Sequence, residues 1–180
     1  MRKGYSRTIQ IGVLLFIIGL VSLAFAANGA PKFGGTYKIA VNSEIPNIDP
    51  MLTTADVAYQ VGGQIFETLV QYLTGEGPVA PELADSWTVS GDKLKYTFSL
   101  RRGVKFHDGS IMTSKDVLAS LERWLKYGGR GAILRPYIER FAAPDDSTFE
   151  VYLKQPYSPL LSLLGFGNGG PIIVPARIAR

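Results

Sequence analysis

The chain of 180 residues contains no cysteine and a single histidine, His107. The first absence excludes disulfides, thiolate metal sites, cysteine nucleophiles and a lipid-bearing N-terminal cysteine; the second excludes a multi-histidine metal centre. Acidic residues are missing from the first 26 positions, which carry Arg2, Lys3 and Arg7. Setting that stretch aside leaves 16 of the 19 basic residues against all 15 acidic ones, so the formal charge of +4 belongs to the N-terminus. The balanced remainder lacks the basic footprint of a nucleic-acid-binding protein, and no such partner is expected. Charge is scarce at 19%, whereas hydrophobic residues reach 46%, enough for a packed core.

Charge is absent altogether between Arg7 and Lys32. Inside that gap Ile11 to Phe25 forms an apolar run, preceded by a basic stretch and closed by Ala24-Phe25-Ala26, with small residues where a signal peptidase needs them. These features predict a cleaved secretory signal peptide over residues 1–26 and a periplasmic or extracellular protein that is not a lipoprotein. The alternative is an uncleaved anchor, because the uncharged stretch from Thr8 to Pro31 is long enough to cross a bilayer of about 30 Å.

After a Pro/Gly entry, Thr36 to Val41 alternates and is rich in β-formers, which predicts a strand. Asn42 to Pro50 reads as a loop, because two prolines and the Asn, Ser and Asp residues supply turn chemistry. Thr54 is placed to cap a helix in which Val57, Val61, Ile65, Leu69 and Leu73 recur at every fourth position, with Gly62-Gly63 in its middle as the mark of a close packing partner. Gly75 to Pro81 reads as a turn and Glu82 to Asp85 as a short helical or irregular segment. Trp87 to Val89 and Leu94 to Leu100 flank Ser90 to Lys93 as a hairpin, with Leu94, Tyr96, Phe98 and Leu100 on one face.

Thr113 to Asp116 resembles a capping box; Val117, Leu121, Trp124 and Leu125 follow at helical spacing, and Gly128-Gly129 is placed to end that helix. Pro144 to Ser147 turns into an alternating strand from Thr148 to Lys154. Ser158-Pro159 opens a short helix through Leu164, followed by a glycine cluster and the strand-like run Ile172 to Val174, with no closing helix expected after it. Interleaved helices and mostly antiparallel strands give an α/β class of α+β-like character.

Catalytic signals are weak. Gly165 to Gly170 matches G-x-G-x-x-G, but a helix precedes it and an apolar run follows, the reverse of a dinucleotide-binding turn; a flexible crossing between domains is expected there. His107 beside Asp108 has no candidate nucleophile, and hydrogen bonding in a turn is its expected role. Glu82 with Asp85, and Asp145 with Asp146, sit in turn and cap settings. Trp87 and Trp124 lie on apolar faces, where packing is the expected role. Neither catalytic nor metal-binding residues are identified, and no cofactor is expected.

Several segments stand in an order that resembles bacterial extracellular solute-binding protein family 5, the peptide, oligopeptide and nickel receptors of ABC importers. They are Gly35-Thr36-Tyr37, Ile48-Asp49-Pro50, Phe66 to Val70, Val79 to Trp87 and, most specific, Tyr96 to Gly109 followed by Thr113 to Val117 and Ser120-Leu121. The resemblance implies a periplasmic-binding-protein-like fold of the larger peptide-binding type, incomplete in this chain. It implies residues 27–50 as the start of a first lobe, 51–166 as an extra α+β domain and 167–180 as the return into the first lobe. It further implies a non-enzymatic, monomeric receptor that closes on a peptide or other small solute and docks on an ABC permease. The segment after the first strand, Asn42, Ser43, Glu44, Ile45 and Pro46, would touch the ligand, through main-chain groups and through Glu44 to a ligand amine. The alternatives are a truncated, non-transporting fragment of such a receptor and an exported hydrolase.

Overall fold

The computed structural model describes residues 33–41, 43–45, 47–72 and 79–179. The chain divides into two units, Met1–Ala40 and Val41–Arg180. In the first, Phe33 to Ala40 is exposed and without regular structure. The strand expected over Thr36 to Val41 is therefore absent: Tyr37 is 88% and Ile39 72% exposed. An alternating segment forms a strand when a neighbour supplies its ladder, and no described residue pairs with this one. The expected signal peptide, residues 1–26, lies outside the described residues.

The second unit is built on a four-stranded antiparallel sheet in the order β3-β4-β6-β5, from β3 (Ala84–Val89), β4 (Lys95–Leu100), β5 (Ile138–Asp145) and β6 (Thr148–Leu153). Alternation dictates its two faces. Tyr96, Phe98 and Leu100 of β4 and Phe149, Val151 and Leu153 of β6 are buried on one side, with Phe98 paired to Phe149 and Tyr96 to Val151. Lys95 and Glu150 form an ion pair of 2.7 Å on the other. The hairpin turn is closed by Asp92, whose carboxylate accepts from the Leu94 N–H at 3.0 Å and from the Ser90 hydroxyl; these bonds hold its pKa below the usual carboxylate value.

The apolar face is covered by α2 (Ser114–Tyr127), which starts where the capping box places it: the Thr113 N–H donates to Asp116 Oδ2 at 2.8 Å. Val117, Leu121 and Trp124 recur at helical spacing and are fully buried. Burying each such side chain stabilises the fold by about 1.5–3 kcal/mol. The helix ends at Tyr127 as expected, but Gly128 has extended backbone rather than a left-handed cap, and α3 (Gly129–Leu134) begins at once. A β-carbon on Gly131 would lie 2.1 Å from the Trp124 carbonyl oxygen, so this glycine lets α3 cross the end of α2.

The long helix expected from Thr54 to Leu73 is cut short. Helix α1 spans only Asp56–Gly62, Gly63 closes it, and Thr54 makes no cap. Gly62 sits against Pro50, where a β-carbon would be 3.4 Å from Cγ, so the glycine pair both ends the helix and admits the neighbouring loop. Beyond it the chain extends, and β1 (Val70–Gln71) pairs with β2 (Ala80–Pro81). Leu73 and most of the expected turn after it lie outside the described residues.

Two further departures concern the end of the unit. After α4 (Leu160–Leu164), Ile172 and Ile173 are buried but form no strand. Their backbone is bound piecemeal: the Ile173 N–H donates to Glu67 O at 3.0 Å and the Val174 N–H to the Ser120 hydroxyl at 3.0 Å. A short helix, α5 (Ala176–Ala179), follows where none was expected. No helix among the described residues is long and apolar enough to cross a membrane.

Candidate ligand-binding site

Of the five residues proposed from sequence to meet a ligand, Ser43, Glu44 and Ile45 are exposed and irregular; Asn42 and Pro46 lie outside the described residues. An exposed segment without ladder partners keeps its backbone donors and acceptors available. The turn that follows, from Asn47 to Met51, is ordered by its own side chains. Asn47 Oδ1 accepts from the Asp49 N–H at 2.9 Å, and Asp49 Oδ1 accepts from the Met51 N–H at 2.9 Å. The other Asp49 oxygen pairs with the Arg123 guanidinium at 2.6 Å, in an ion pair whose side chains are 18% and 21% exposed. Arg123 also approaches Met51 Sδ at 3.1 Å.

Arg123 belongs to one face of α2 that collects the rest of the fold. Asp116, Ser120, Arg123 and Trp124 recur at the three- and four-residue spacings of a single helix face. Asp116 Oδ1 accepts from the Ala176 N–H at 2.8 Å, the Ser120 hydroxyl donates to Val174 O at 3.1 Å, and Trp124 Nε1 donates to Gly169 O at 2.8 Å. The helix thus holds the turn beside the candidate loop and the 169–176 segment against the same core. From sequence Asp116 reads only as a cap and Trp124 only as a packing residue, and Ser120 and Arg123 are given no role. Their spacing was visible, but their partners lie far away in the chain, 45 residues for Trp124 and Gly169, 54 for Ser120 and Val174 and 60 for Asp116 and Ala176.

Beside the Asp49–Arg123 pair opens a cleft of about 680 Å³. Its lining is apolar at Ile65, Phe66, Val104, Phe106 and Ile172 to Val174 and charged at Asp49, Arg123, Asp108 and Arg177, among others. Asp108 is held well below the usual carboxylate range, first by the Ser110 hydroxyl and then by its contact with Arg177. The turn around it is closed by Asp108, which accepts from the Ser110 N–H at 2.9 Å, rather than by His107, which is exposed and lines the cleft. That corrects the role expected for His107: the shorter Asp side chain reaches the backbone two residues on. Ser43, Glu44 and Ile45 do not line this cleft.

The glycine cluster is packed rather than a loose crossing. A β-carbon on Gly167 would fall 2.0 Å from the Tyr59 ring, and Gly169 and Gly170 are buried. With Gly169 O bound to Trp124, the segment does not form a phosphate cradle. Trp124 is fully buried and Trp87 packs on Phe98 with ring centroids 6.4 Å apart, as expected of structural aromatics. Among the described residues there is no cluster of three or more His, Asp or Glu side chains able to hold a metal ion.

The sheet covered by α2 and the segment bound to that helix belong to a fold similar to that of solved periplasmic binding proteins. The ABC transporter-associated periplasmic binding protein DppA of Helicobacter pylori, solved in complex with the peptide STSA, superposes with a TM-score of 0.63 at 32% identity over 73% of this chain and 29% of its own. NikA of Brucella suis, solved with Fe(III)-EDTA, gives 0.56 at 30% identity over 63% and 23%. In sequence, a probable peptide ABC transporter periplasmic-binding protein of Sinorhizobium fredii is 38% identical over 131 residues, 73% of this chain and 24% of the relative. A probable D,D-dipeptide-binding periplasmic protein of Escherichia coli is 37% identical over 133 residues, 72% and 26%.

Residues 78–173, more than half of the chain, match the family described as bacterial extracellular solute-binding proteins, family 5 Middle. The chain therefore belongs to that family. It spans about a quarter of the length of these two curated relatives.

Proposed function

We propose that this chain is part of an exported receptor that captures peptides for an ABC importer and catalyses no reaction. Family membership carries the reading, and the peptide-binding names of the relatives in Sinorhizobium fredii and Escherichia coli support it. The N-terminal pattern of basic, apolar and small residues fits delivery to the periplasm by a cleaved leader, and the lack of cysteine leaves no site for an N-terminal lipid. In this reading residues 27–50 begin the first lobe, 51–166 form the extra domain and 167–180 re-enter the first lobe.

Asn42 to Pro46 offers main-chain groups to an extended ligand, a mode of recognition that tolerates many side chains. Glu44 meets the ligand amine. Closure of two lobes around the solute then presents the loaded monomer to the permease, the receptor's membrane partner. The test is uptake: deleting the gene in its source bacterium is expected to abolish import of labelled di- and tripeptides while sparing sugars, with recovery on re-expression. Unchanged peptide uptake, or loss of sugar uptake instead, overturns the proposal.

A further inference from the structure

A second pocket, of about 300 Å³, lies on the other side of Phe66 from the cleft, and its chemistry is different. In the larger cleft Asp49 and Asp108 are each neutralised by an arginine. The smaller pocket has a single formally charged side chain in its lining, Glu82, and no described cation lies within ion-pairing distance of it. Glu82 is half-buried; its Oε2 accepts from the Thr68 N–H at 2.9 Å and lies 2.6 Å from the Thr68 hydroxyl, whose single proton it shares with Val70 O, also at 2.6 Å. Those bonds fix the carboxylate in place and leave its charge unpaired. A carboxylate fixed in a half-buried setting without a charged partner is complemented by a cation beside it.

Four aromatic rings line the same pocket: Tyr59, Phe66, Tyr72 and Phe166. Tyr72 and Phe166 lie against each other with centroids 5.5 Å apart, and Tyr59 is seated on Gly167. Aromatic faces carry negative potential and attract ammonium groups. Asn168 also lines the pocket. Its Nδ2 donates to Thr54 O at 3.0 Å and Asp56 Oδ1 at 2.8 Å, which fixes the amide orientation and leaves Oδ1 buried without a partner. Arg130 lies over the Phe166 ring at 4.1 Å and takes one face of it, so Tyr59, Phe66 and Tyr72 are the rings left for a ligand; Arg130 itself is not among the lining residues.

We propose that this pocket is a binding site for a compact organic ammonium group, held by Glu82 and the surrounding rings. The inference does not rest on the peptide-import reading. A primary ammonium has N–H donors for the free Glu82 oxygen and binds more tightly than a quaternary one, which keeps charge and ring contact alone.

The test is titration of the full chain, followed by NMR, with methylammonium, tetramethylammonium and the neutral tert-butanol at matched ionic strength. Methylammonium is expected to saturate with Kd on the order of 1–10 mM, the range open to so small a ligand. Tetramethylammonium is expected to bind several-fold more weakly and tert-butanol not at all, with shifts confined to Tyr59, Phe66, Tyr72, Glu82 and Phe166. Glu82→Gln retains an acceptor for Thr68 and is expected to weaken methylammonium at least tenfold. Tyr72→Leu leaves the carboxylate untouched and is expected to weaken tetramethylammonium most.

Displacement of methylammonium by dialanine but not N-acetyl-dialanine identifies a peptide amino terminus as the source, and displacement by neither identifies a free amine. Equal binding of tert-butanol, shifts confined to the larger cleft, or full affinity in both variants overturns the proposal.

Discussion

Arg123 joins the turn after the candidate loop to the core helix through one guanidinium, pairing with Asp49 and touching Met51. Because both side chains are largely shielded from water, the pair is worth more than an exposed one, for which about 0.2–1 kcal/mol is usual. A double-mutant cycle with Arg123→Ala and Asp49→Ala is expected to give a coupling energy of about 1–2 kcal/mol in urea denaturation. Additive single effects would mean that the pair does not fasten the turn. On the outer face of the sheet, Glu150 is held below its ordinary value of 4.5, first by Lys95 and then by the Tyr152 hydroxyl. A depressed carboxylate contributes stability that is present above its unfolded pKa and lost as pH falls through its folded one. The melting temperature is therefore expected to drop as pH falls below about 4.5, and Glu150→Gln is expected to flatten that drop. An unchanged acid limb in the variant would contradict this.

At the scale of elements, period decides what a sequence reveals. The strands β4 and β6 alternate without interruption and α2 carries its buried residues at regular helical spacing, so each was legible. Strand β5 was not, because register shifts between Ile138 and Arg140 and between Ala142 and Asp145 break its alternation. The four-residue repeat through Val57 and Leu69 was misleading, since Gly62-Gly63 ends the helix, Ile65 falls in the turn that follows and Leu69 lies outside any helix. Thr36 to Val41 shows the converse: a strand pattern remains a pattern without a neighbour to pair with. The crossing of α2 and α3 gives a sharp test. Gly131→Ala places a β-carbon 2.1 Å from the Trp124 oxygen and is expected to cost about 1–3 kcal/mol by denaturant unfolding. Gly129→Ala meets nothing within 4 Å and is expected to be neutral or slightly stabilising. Equal effects would contradict the packing described.

For the whole molecule, family membership was readable because its markers are turn and cap residues with local causes, such as Asp108 before Ser110 and Asp116 after Thr113. The cleft and the face of α2 were not readable, since they are assembled from segments far apart in sequence, among them Asp49, Phe106, Arg123 and Ile173. The exposed candidate loop lies next in sequence to the turn that this framework ties to α2 through Asp49 and Arg123. Its central claim is that Asn42 to Pro46 receives peptide through the main chain.

The most direct measurement is amide hydrogen exchange of the chain with and without di-, tri- and tetrapeptides. The account requires saturable slowing at Ser43, Glu44 and Ile45, similar for peptides of unrelated side chains and absent with sugars. Unaltered exchange at those amides under saturating peptide would contradict it.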